Sequence, residues 1–255
     1  MGPGKLIKKH ILFLWILFAA VLANRLTINV DNWTLLTFVS CILSTAILRK
    51  TGMPSGKHLL LSLLLAVLCT VAYFGYEHSR SVLIYGLFTA GLPTLLAAAA
   101  VFAVMEKKGG LRMIAGKDRE SVLFSIGLGF IVGMGLSAVN LMLSGDQVTF
   151  GFSFWKILLA LNPAIHEEIS FRAVFMAYCC LHADKDGMDG LELFTMYFMM
   201  CMPHTMAHGY GFVGTLLLCL FFGLPFTFLQ HRRDILTAMV SHGIVDAVRF
   251  ILTGF

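Results

Sequence analysis

Charged residues are scarce in this chain of 255 residues: Asp, Glu, Lys and Arg make up 13% of it, against 58% hydrophobic residues. A soluble domain contains about a quarter charged residues, so the composition excludes an ordinary soluble enzyme. The mean hydropathy of +0.84 and the net charge of +5 instead indicate a membrane protein with basic loops. The lipid bilayer is therefore an expected partner. Nucleic acid is not, because the basic residues form no stripe or repeat.

Several motifs of soluble hydrolases and metal-binding modules are also missing. The six cysteines form no C-x-x-C pair, which argues against a zinc knuckle or a disulfide frame. H-E-x-x-H is absent because no histidine follows the glutamate pair at the required position, and the G-x-S-x-G serine elbow is absent too. No internal repeat or second domain is visible, so residues 1–255 are interpreted as one integral membrane domain.

Nine apolar stretches divide the chain, and a helix needs about 20 residues to cross the hydrocarbon core. The first two stretches are short and the seventh contains Pro203. The sequence therefore predicts an all-α polytopic membrane bundle of about eight transmembrane helices. The count is eight or nine. The stretches are 11–29, 33–48, 58–76, 82–105, 122–143, 154–182, 191–208, 211–229 and 234–252.

The basic residues are distributed unequally between the two sets of loops. Only Arg25 and Arg80 lie in the loops of one set. Because cytoplasmic loops are enriched in Lys and Arg, we expect a multi-pass cell-membrane protein with a cytoplasmic N-terminus. The other set carries Lys5, Lys8, Lys9, Arg49, Lys50, Lys57, Lys107, Lys108, Arg112, Lys117, Arg119, Lys185, Arg232 and Arg233.

Two adjacent glutamates and an arginine interrupt the sixth apolar stretch. Each ionisable residue at the centre of a membrane helix costs roughly 2.5–3.5 kcal/mol. Glu168 and Arg172 are four positions apart and can form an ion pair, whereas Glu167 is turned about 100° away and is free to face a cavity. Pro163 fits the first turn of this helix and Asn162 fits its N-cap, so the sequence predicts a helix start at this pair. The alternative is a buried charge network that only holds helices together.

Two further polar pairs lie in later helices, His204 with His208 and His242 with Asp246. Each pair has i, i+4 spacing and is either a satisfied polar pair or part of a site. Together with Glu167 they form a hydrolytic constellation, in which the glutamate is a general base on water and the histidines hold an oxyanion or a metal. We expect a hydrated cavity among the last four helices, lined by Glu167, His208, His242 and Asp246.

The order of these motifs resembles the CPBP family, which comprises CAAX proteases and bacteriocin-processing enzymes and includes the type II CAAX prenyl endopeptidases. The resemblance covers residues 120–252, about the C-terminal half. The first motif, E-E-x-x-x-R, and the third, H-x-x-x-D/N, are matched by Glu167, Glu168, Arg172, His242 and Asp246.

The second motif of the family is usually Phe-x-x-x-His, and this chain departs from it. His208 is preferred as the family histidine, with His204 in place of the phenylalanine. The other frame, from Met200 to His204, also lacks the phenylalanine. The identity of the second histidine is therefore open between His204 and His208.

The resemblance implies an intramembrane endopeptidase that hydrolyses membrane-associated peptides or protein C-termini, with a cavity open to the cytoplasm or to a lateral gate. It implies either a divalent metal such as zinc or a metal-free water activated by glutamate. The catalytic set, which is also the candidate metal-ligand set, is Glu167, His208, His242 and Asp246, supported by Glu168, Arg172 and His204.

Two other functions compete with a protease. One is a non-catalytic scaffold or immunity protein of the same fold, which would tolerate loss of Glu167. The other is a proton-coupled transporter, which would use the same acids and histidines as a relay. The transporter ranks third because inverted repeats with paired broken helices are expected of it, and the sequence has no such symmetry.

Overall fold

The fold is described from a computed structural model, which covers residues 8–28, 30–116, 118–145 and 147–254, with only the backbone of residue 28. Lys5 and Lys117, which contribute to the basic asymmetry, lie outside these ranges. Within them the chain forms nine helices and no strand, and the predicted all-α bundle is confirmed. The helices are α1 Lys9–Thr27, α2 Asn32–Thr51, α3 Gly56–Gly75, α4 Arg80–Lys107, α5 Arg119–Ser144, α6 (residues 154–182), α7 Gly190–Ala207, α8 Phe212–Arg232 and α9 Ile235–Thr253.

Seven of the nine helices are long and apolar enough to cross a membrane, judged by length and composition. The other two are α6, which carries the glutamate pair, and α7, which contains Pro203 and begins with a capping box of Asp189 and Glu192. These two helices also carry the first two candidate motifs, whose charged and polar residues interrupt their apolar stretches.

One predicted helix boundary was wrong. Helix α6 begins at Phe154, where the Ser153 side chain accepts a hydrogen bond from the Trp155 amide, and Pro163 lies inside the helix. The Asn162 side chain does not cap α6 but donates to the Cys69 carbonyl on α3, with 3.2 Å between the atoms. The Asn-Pro pair resembled a helix start because Asn is favoured at the N-cap and Pro at the first helical position.

The loops meet at two opposite ends of the bundle. At one, the Lys8 ammonium contacts the Asp184 carboxylate at 2.8 Å and that of Glu192 at 2.9 Å. At the other, Arg25 donates to the Tyr210 carbonyl at 2.9 Å. We call the first, which holds the Lys- and Arg-rich loops, the basic end, and the second, with the loops at 30–31, 76–79 and 208–211, the opposite end.

Helices α4 and α6 form the centre of the bundle. Every residue from Ala97 to Val104 on α4 is buried, and so is every residue from Glu168 to Leu181 on α6. The buried half of α6 therefore faces protein on all sides. This explains how charged side chains are accommodated at membrane depth, since their surroundings supply partners that lipid does not.

Helix α9 packs closely on α5 at two glycines. A Cβ at Gly129 would lie 2.7 Å from the Thr237 carbonyl oxygen, and one at Gly133 would lie 2.7 Å from both the Ser241 carbonyl oxygen and Ile244 Cβ. Real side chains do not approach so closely, so the contact requires glycine. Because Ser241 precedes His242 in the chain, this contact sets the depth of the third motif.

We predict that Gly133→Ala destabilises the protein by about 1–3 kcal/mol, as expected for overpacking, and lowers activity by moving α9. Gly135→Ala is the matched control on the same helix, because a Cβ there meets nothing within 4 Å and alanine favours the helix. Thermal unfolding in detergent measures the stability of both variants. Equal midpoints for the two variants would contradict the close contact.

Candidate active site

The first motif lies near the middle of α6. Glu167 is 13 residues from the helix start at Phe154 and 15 from its end at His182, or about 20 Å from each at 1.5 Å per residue. A π-helical turn, Ile169–Ala173, follows the glutamates and contains Arg172. Such turns widen the helix locally and occur often at functional sites.

The predicted ion pair between Glu168 and Arg172 is confirmed. Arg172 Nη1 donates to Glu168 Oε1 at 2.5 Å, and the two side chains are only 1% and 0% exposed. The Glu168 carbonyl accepts a further hydrogen bond from the Gln230 side chain on α8, at 3.1 Å. The pair is therefore held from two helices and out of contact with solvent.

Arg172 also determines the protonation of a histidine. Its Nη2 lies 2.7 Å from His204 Nδ1, and a guanidinium only donates hydrogen bonds. His204 Nδ1 must then be the acceptor, so the ring proton lies on Nε2. His204 Nε2 in turn lies 2.6 Å from Glu167 Oε2 and donates to it. One chain of charge-assisted hydrogen bonds thus links four side chains. Arg172 donates both to Glu168 and to His204, and His204 donates to Glu167.

The third motif meets the first on the other side of the glutamates. His242 Nδ1 donates to Glu168 Oε1 at 2.7 Å. Its Nε2 lies 3.4 Å from Asp246 Oδ2 and 3.7 Å from Glu167 Oε2. The Phe226 ring stacks on the imidazole, with 4.7 Å between centroids. His242 is therefore fixed by a stacked ring and by one short hydrogen bond, while Nε2 points between two carboxylates.

The two candidates for the second histidine differ in position. His204 is buried, 3% exposed, and contacts Glu167 directly. His208 is exposed at the end of α7, with its ring centroid 5.1 Å from that of His204 and 4.9 Å from that of Trp33. The geometry thus gives the central position to the histidine that the sequence ranked as supporting. His208 lies beside it, closer to the mouth of the site.

A cavity of about 770 Å³ opens beside the glutamate, and Glu167, His208 and Asp246 line it. His242 instead lines a smaller neighbouring cavity of about 70 Å³, together with Arg172 and His204. The cavity was expected among the last four helices, and it extends beyond them. Helices α2, α3 and α4 also supply walls of the larger cavity, namely Trp33, Thr34, Thr37, Tyr73, Val82, Tyr85, Phe88 and Thr89.

Three residues that the sequence analysis did not single out also contribute to the site. Trp33 packs edge-on against His204 and His208, Phe226 stacks on His242, and Gln230 holds the Glu168 backbone. Aromatic and amide residues are common in such helices. Only their place in the fold distinguishes them, and the sequence gives no signal for it.

The donor groups near Glu167 decide whether the site fits a metal ion. Ligand atoms of Glu167, His204 and His208 lie within 4.8 Å of one another, whereas the predicted ligands His242 and Asp246 are outside this group. Arg172 keeps the proton of His204 on Nε2, the atom that faces Glu167, and a protonated nitrogen has no lone pair for a metal. His204 in this state does not fit a zinc ligand.

A comparison with protein families matches residues 149–248 to the family described as type II CAAX prenyl endopeptidase Rce1-like. The match runs from just before α6 into α9 and includes all three motifs, and it confirms the resemblance recognised from them. It covers less than half of the chain. No curated protein and no solved structure matches the chain significantly.

We predict that Glu168→Gln destabilises the protein by roughly 3–5 kcal/mol, because it leaves Arg172 as an uncompensated buried charge. Glu167→Gln is the adjacent control: its carboxylate is 14% exposed and its removal leaves the ion pair intact. Thermal unfolding of the purified variants distinguishes the two acids. A Glu167→Gln variant as unstable as Glu168→Gln would show that their structural roles are reversed.

Proposed function

We propose that this chain, which over residues 149–248 is similar to the type II CAAX prenyl endopeptidases, is an intramembrane endopeptidase that activates water with Glu167. One observation carries the proposal: a carboxylate at the centre of α6 both faces a large cavity and accepts a hydrogen bond from a histidine of fixed tautomer. A structural charge pair needs neither feature. The buried Glu168–Arg172 pair next to it shows the contrast.

In the proposed reaction, Glu167 removes a proton from a water molecule in the cavity as the oxygen attacks the peptide carbonyl. The C–O bond forms and the carbonyl electrons move to oxygen. Once Glu167 has taken the proton, the His204 Nε2–H group that had donated to its carboxylate donates to this oxyanion instead. As the intermediate collapses, the C–N bond breaks and Glu167 passes its proton to the leaving amine, so the enzyme ends unchanged.

His242 and the remaining polar residues position these groups. With both ring nitrogens beside carboxylate oxygens, His242 is placed to donate from both, which makes Nε2–H a second donor near the reacting carbonyl. Asp246 orients that nitrogen from one turn further along α9. Glu168 and Arg172 act through the two histidines and do not touch the substrate.

This mechanism contains no metal step, because the His204 tautomer does not suit a ligand. The metal-dependent alternative would require His204 to release its Nε2 proton, which the contact with Arg172 opposes. The proposed enzyme is therefore a glutamate-dependent endopeptidase and not a metalloprotease.

The substrate is proposed to be a hydrophobic or membrane-anchored peptide. Aromatic side chains of α2, α3 and α4 line the larger cavity, and such walls accept extended apolar segments and exclude folded domains. Prenylated tails, leader peptides and sorting tails are all segments of this kind.

The cavity also suggests a direction of entry. Its lining includes Asp31 and Phe250, which lie near the opposite end of the bundle. We propose that the basic end, with the N-terminus, is cytoplasmic, as the basic asymmetry indicates. The mouth then faces away from the cytoplasm, whereas the family resemblance implied an opening to the cytoplasm or to a lateral gate.

Thiol labelling in intact cells tests this orientation. In a background without the six native cysteines, Thr37→Cys, which lines the cavity, should react with an impermeant maleimide added outside. Ser55→Cys at the basic end, the control, should react only after permeabilisation. The reverse pattern would show that the site opens to the cytoplasm.

Turnover measurements on variants test the function. Glu167→Gln should abolish hydrolysis of lipid-anchored peptides in reconstituted bilayers, and His204→Ala should lower kcat by about 10²–10³-fold, the usual cost of one oxyanion donor. His208→Ala, which removes an exposed ring at the cavity mouth, should be milder. Mass spectrometry of the products measures all three.

The control for these measurements is the folded state, checked by thermal unfolding of each variant. Full activity of folded Glu167→Gln would overturn the protease proposal and favour a scaffold of the same fold. An inactive His208→Ala beside an active His204→Ala would return the central role to His208, as the sequence analysis preferred.

A further inference from the structure

One histidine beside the glutamate pair has no role in the proposed reaction. His166 directly precedes Glu167 on α6 and lines the larger cavity together with it. Its side chain is only 7% exposed, and the Phe171 ring packs edge-on against the imidazole, with 4.8 Å between centroids. A polar ring buried this deeply is expected to have a hydrogen-bond partner at each nitrogen.

Hydroxyl groups contact one of the two ring nitrogens. Thr94 Oγ1 on α4 lies 2.8 Å from His166 Nδ1, and Ser170 Oγ, one turn further along α6, lies 3.3 Å from it. Another acceptor near the Thr94 hydroxyl, Cys69 Sγ at 3.7 Å, is weaker, because sulfur accepts hydrogen bonds poorly. The Thr94 hydroxyl therefore donates to His166 Nδ1, which accepts with its lone pair.

The ring proton of His166 is then on the other nitrogen, Nε2. The imidazole is neutral, because its hydrogen bonds within the described part of the chain are to hydroxyls and not to a carboxylate, and a buried unpaired charge is costly. No described residue pairs with Nε2. This atom is nevertheless not enclosed by protein, so the Nε2–H group opens on the cavity that His166 lines.

We propose that the His166 Nε2–H group donates a hydrogen bond to a backbone carbonyl of the peptide substrate. This inference rests on the proposed endopeptidase function and adds a substrate-binding residue to it. A hydrophobic peptide in the cavity has its polar groups on the backbone, and each of them needs a partner where water is excluded. His166 supplies a donor whose direction is set by Thr94 and which has no other partner in the protein described.

The position of His166 limits which carbonyl it can bind. Consecutive helical residues are turned by about 100°, so His166 and Glu167 face neighbouring points of the cavity. The carbonyl of the cleaved bond is assigned to the donors His204 and His242. His166 therefore binds the carbonyl of a residue close to the cleaved bond and holds the peptide against α6 while Glu167 acts.

A purely structural role is the alternative, in which His166 only ties α6 to α4 through Thr94. That tie uses Nδ1, whereas substrate binding uses Nε2, so the two roles depend on different atoms. His166→Phe keeps a ring but removes both nitrogens. His166→Gln keeps an N–H donor near the position of Nε2, and it is the variant that should restore substrate binding.

The test uses the full chain in phosphatidylcholine nanodiscs and a lipid-anchored peptide in which one backbone amide at a time is replaced by an ester. An ester carbonyl is a weaker acceptor than an amide carbonyl, and the cleaved bond itself stays an amide. At one position near the cleaved bond, the ester should lower kcat/KM about 3- to 10-fold more in the wild type than in His166→Phe, the range of one neutral hydrogen bond. The N–H group that each ester removes is lost equally in both proteins and cancels.

The all-amide peptide gives a second measurement. His166→Phe should lower its kcat/KM by about 5- to 100-fold, the range for leaving a buried polar group unpaired, and His166→Gln should recover part of the loss. His182→Phe is the matched control, because His182 lies on the same helix at the basic end, outside both cavities, and it should change neither measurement. Thermal unfolding checks that each variant is folded.

Three results would overturn the proposal. The first is an ester profile that is the same in the wild type and in His166→Phe. The second is a folded His166→Gln variant as inactive as His166→Phe, since that indicates a structural role. The third is a wild-type profile in which no ester near the cleaved bond lowers kcat/KM, and this result needs no variant, so the test holds even if His166→Phe does not fold.

Binding to Glu167→Gln separates this inference from the proposed function. Fluorescence anisotropy should show weaker binding of one of the ester peptides than of the all-amide peptide, and His166→Phe in that background should remove the difference. If the wild type hydrolyses no peptide while this binding difference persists, the endopeptidase proposal fails and the His166 contact stands. If every ester peptide binds Glu167→Gln as tightly as the amide, the contact fails whatever the activity.

Discussion

The candidate site depends on the ion pair between Glu168 and Arg172, which is shielded from solvent on all sides. It pairs two of the three charges that lie close together near the middle of α6. It also leaves Arg172 with a second nitrogen directed at His204 and Glu168 with an oxygen directed at His242. One charge pair thus fixes two histidines from two other helices, and both of them face Glu167.

This arrangement separates the two glutamates into different tasks. Glu168 is enclosed and its exposed fraction is zero, whereas Glu167 reaches the cavity. The 100° turn between adjacent helical residues produces the separation. Glu167 is thereby held by a donor of known direction while it still reaches the cavity, and a general base in a membrane needs that combination.

Much of the fold was predictable because apolar length is a strong signal. The nine predicted stretches coincide with the nine helices to within a few residues, and α-helical pairing at i, i+4 identified Glu168 with Arg172 and His242 with Asp246. The boundary error at Pro163 arose because a local start signal lay inside a long helix. The central position of His204 was not predictable, since both histidines share one helix face and only the fold shows which reaches α6.

The contribution of the first half of the chain was also not predictable from the sequence. Trp33 and the cavity walls of α3 and α4 are hydrophobic or aromatic residues of the kind that faces lipid elsewhere in the chain. No motif marks them, and the family match begins only at residue 149, after all of these helices. Their role follows from the central position of α4 and α6, around which α2 and α3 pack.

The central claim is that Arg172 fixes the tautomer of His204, so that Glu167 and not a metal activates the water. Nitrogen-15 NMR of the histidine ring nitrogens in bilayers, assigned by difference from a His204→Asn variant, tests it directly. If Arg172 fixes the tautomer, His204 is neutral, with its proton on Nε2 and an unprotonated Nδ1. A proton on Nδ1, or shifts of Nε2 on adding zinc, would contradict it.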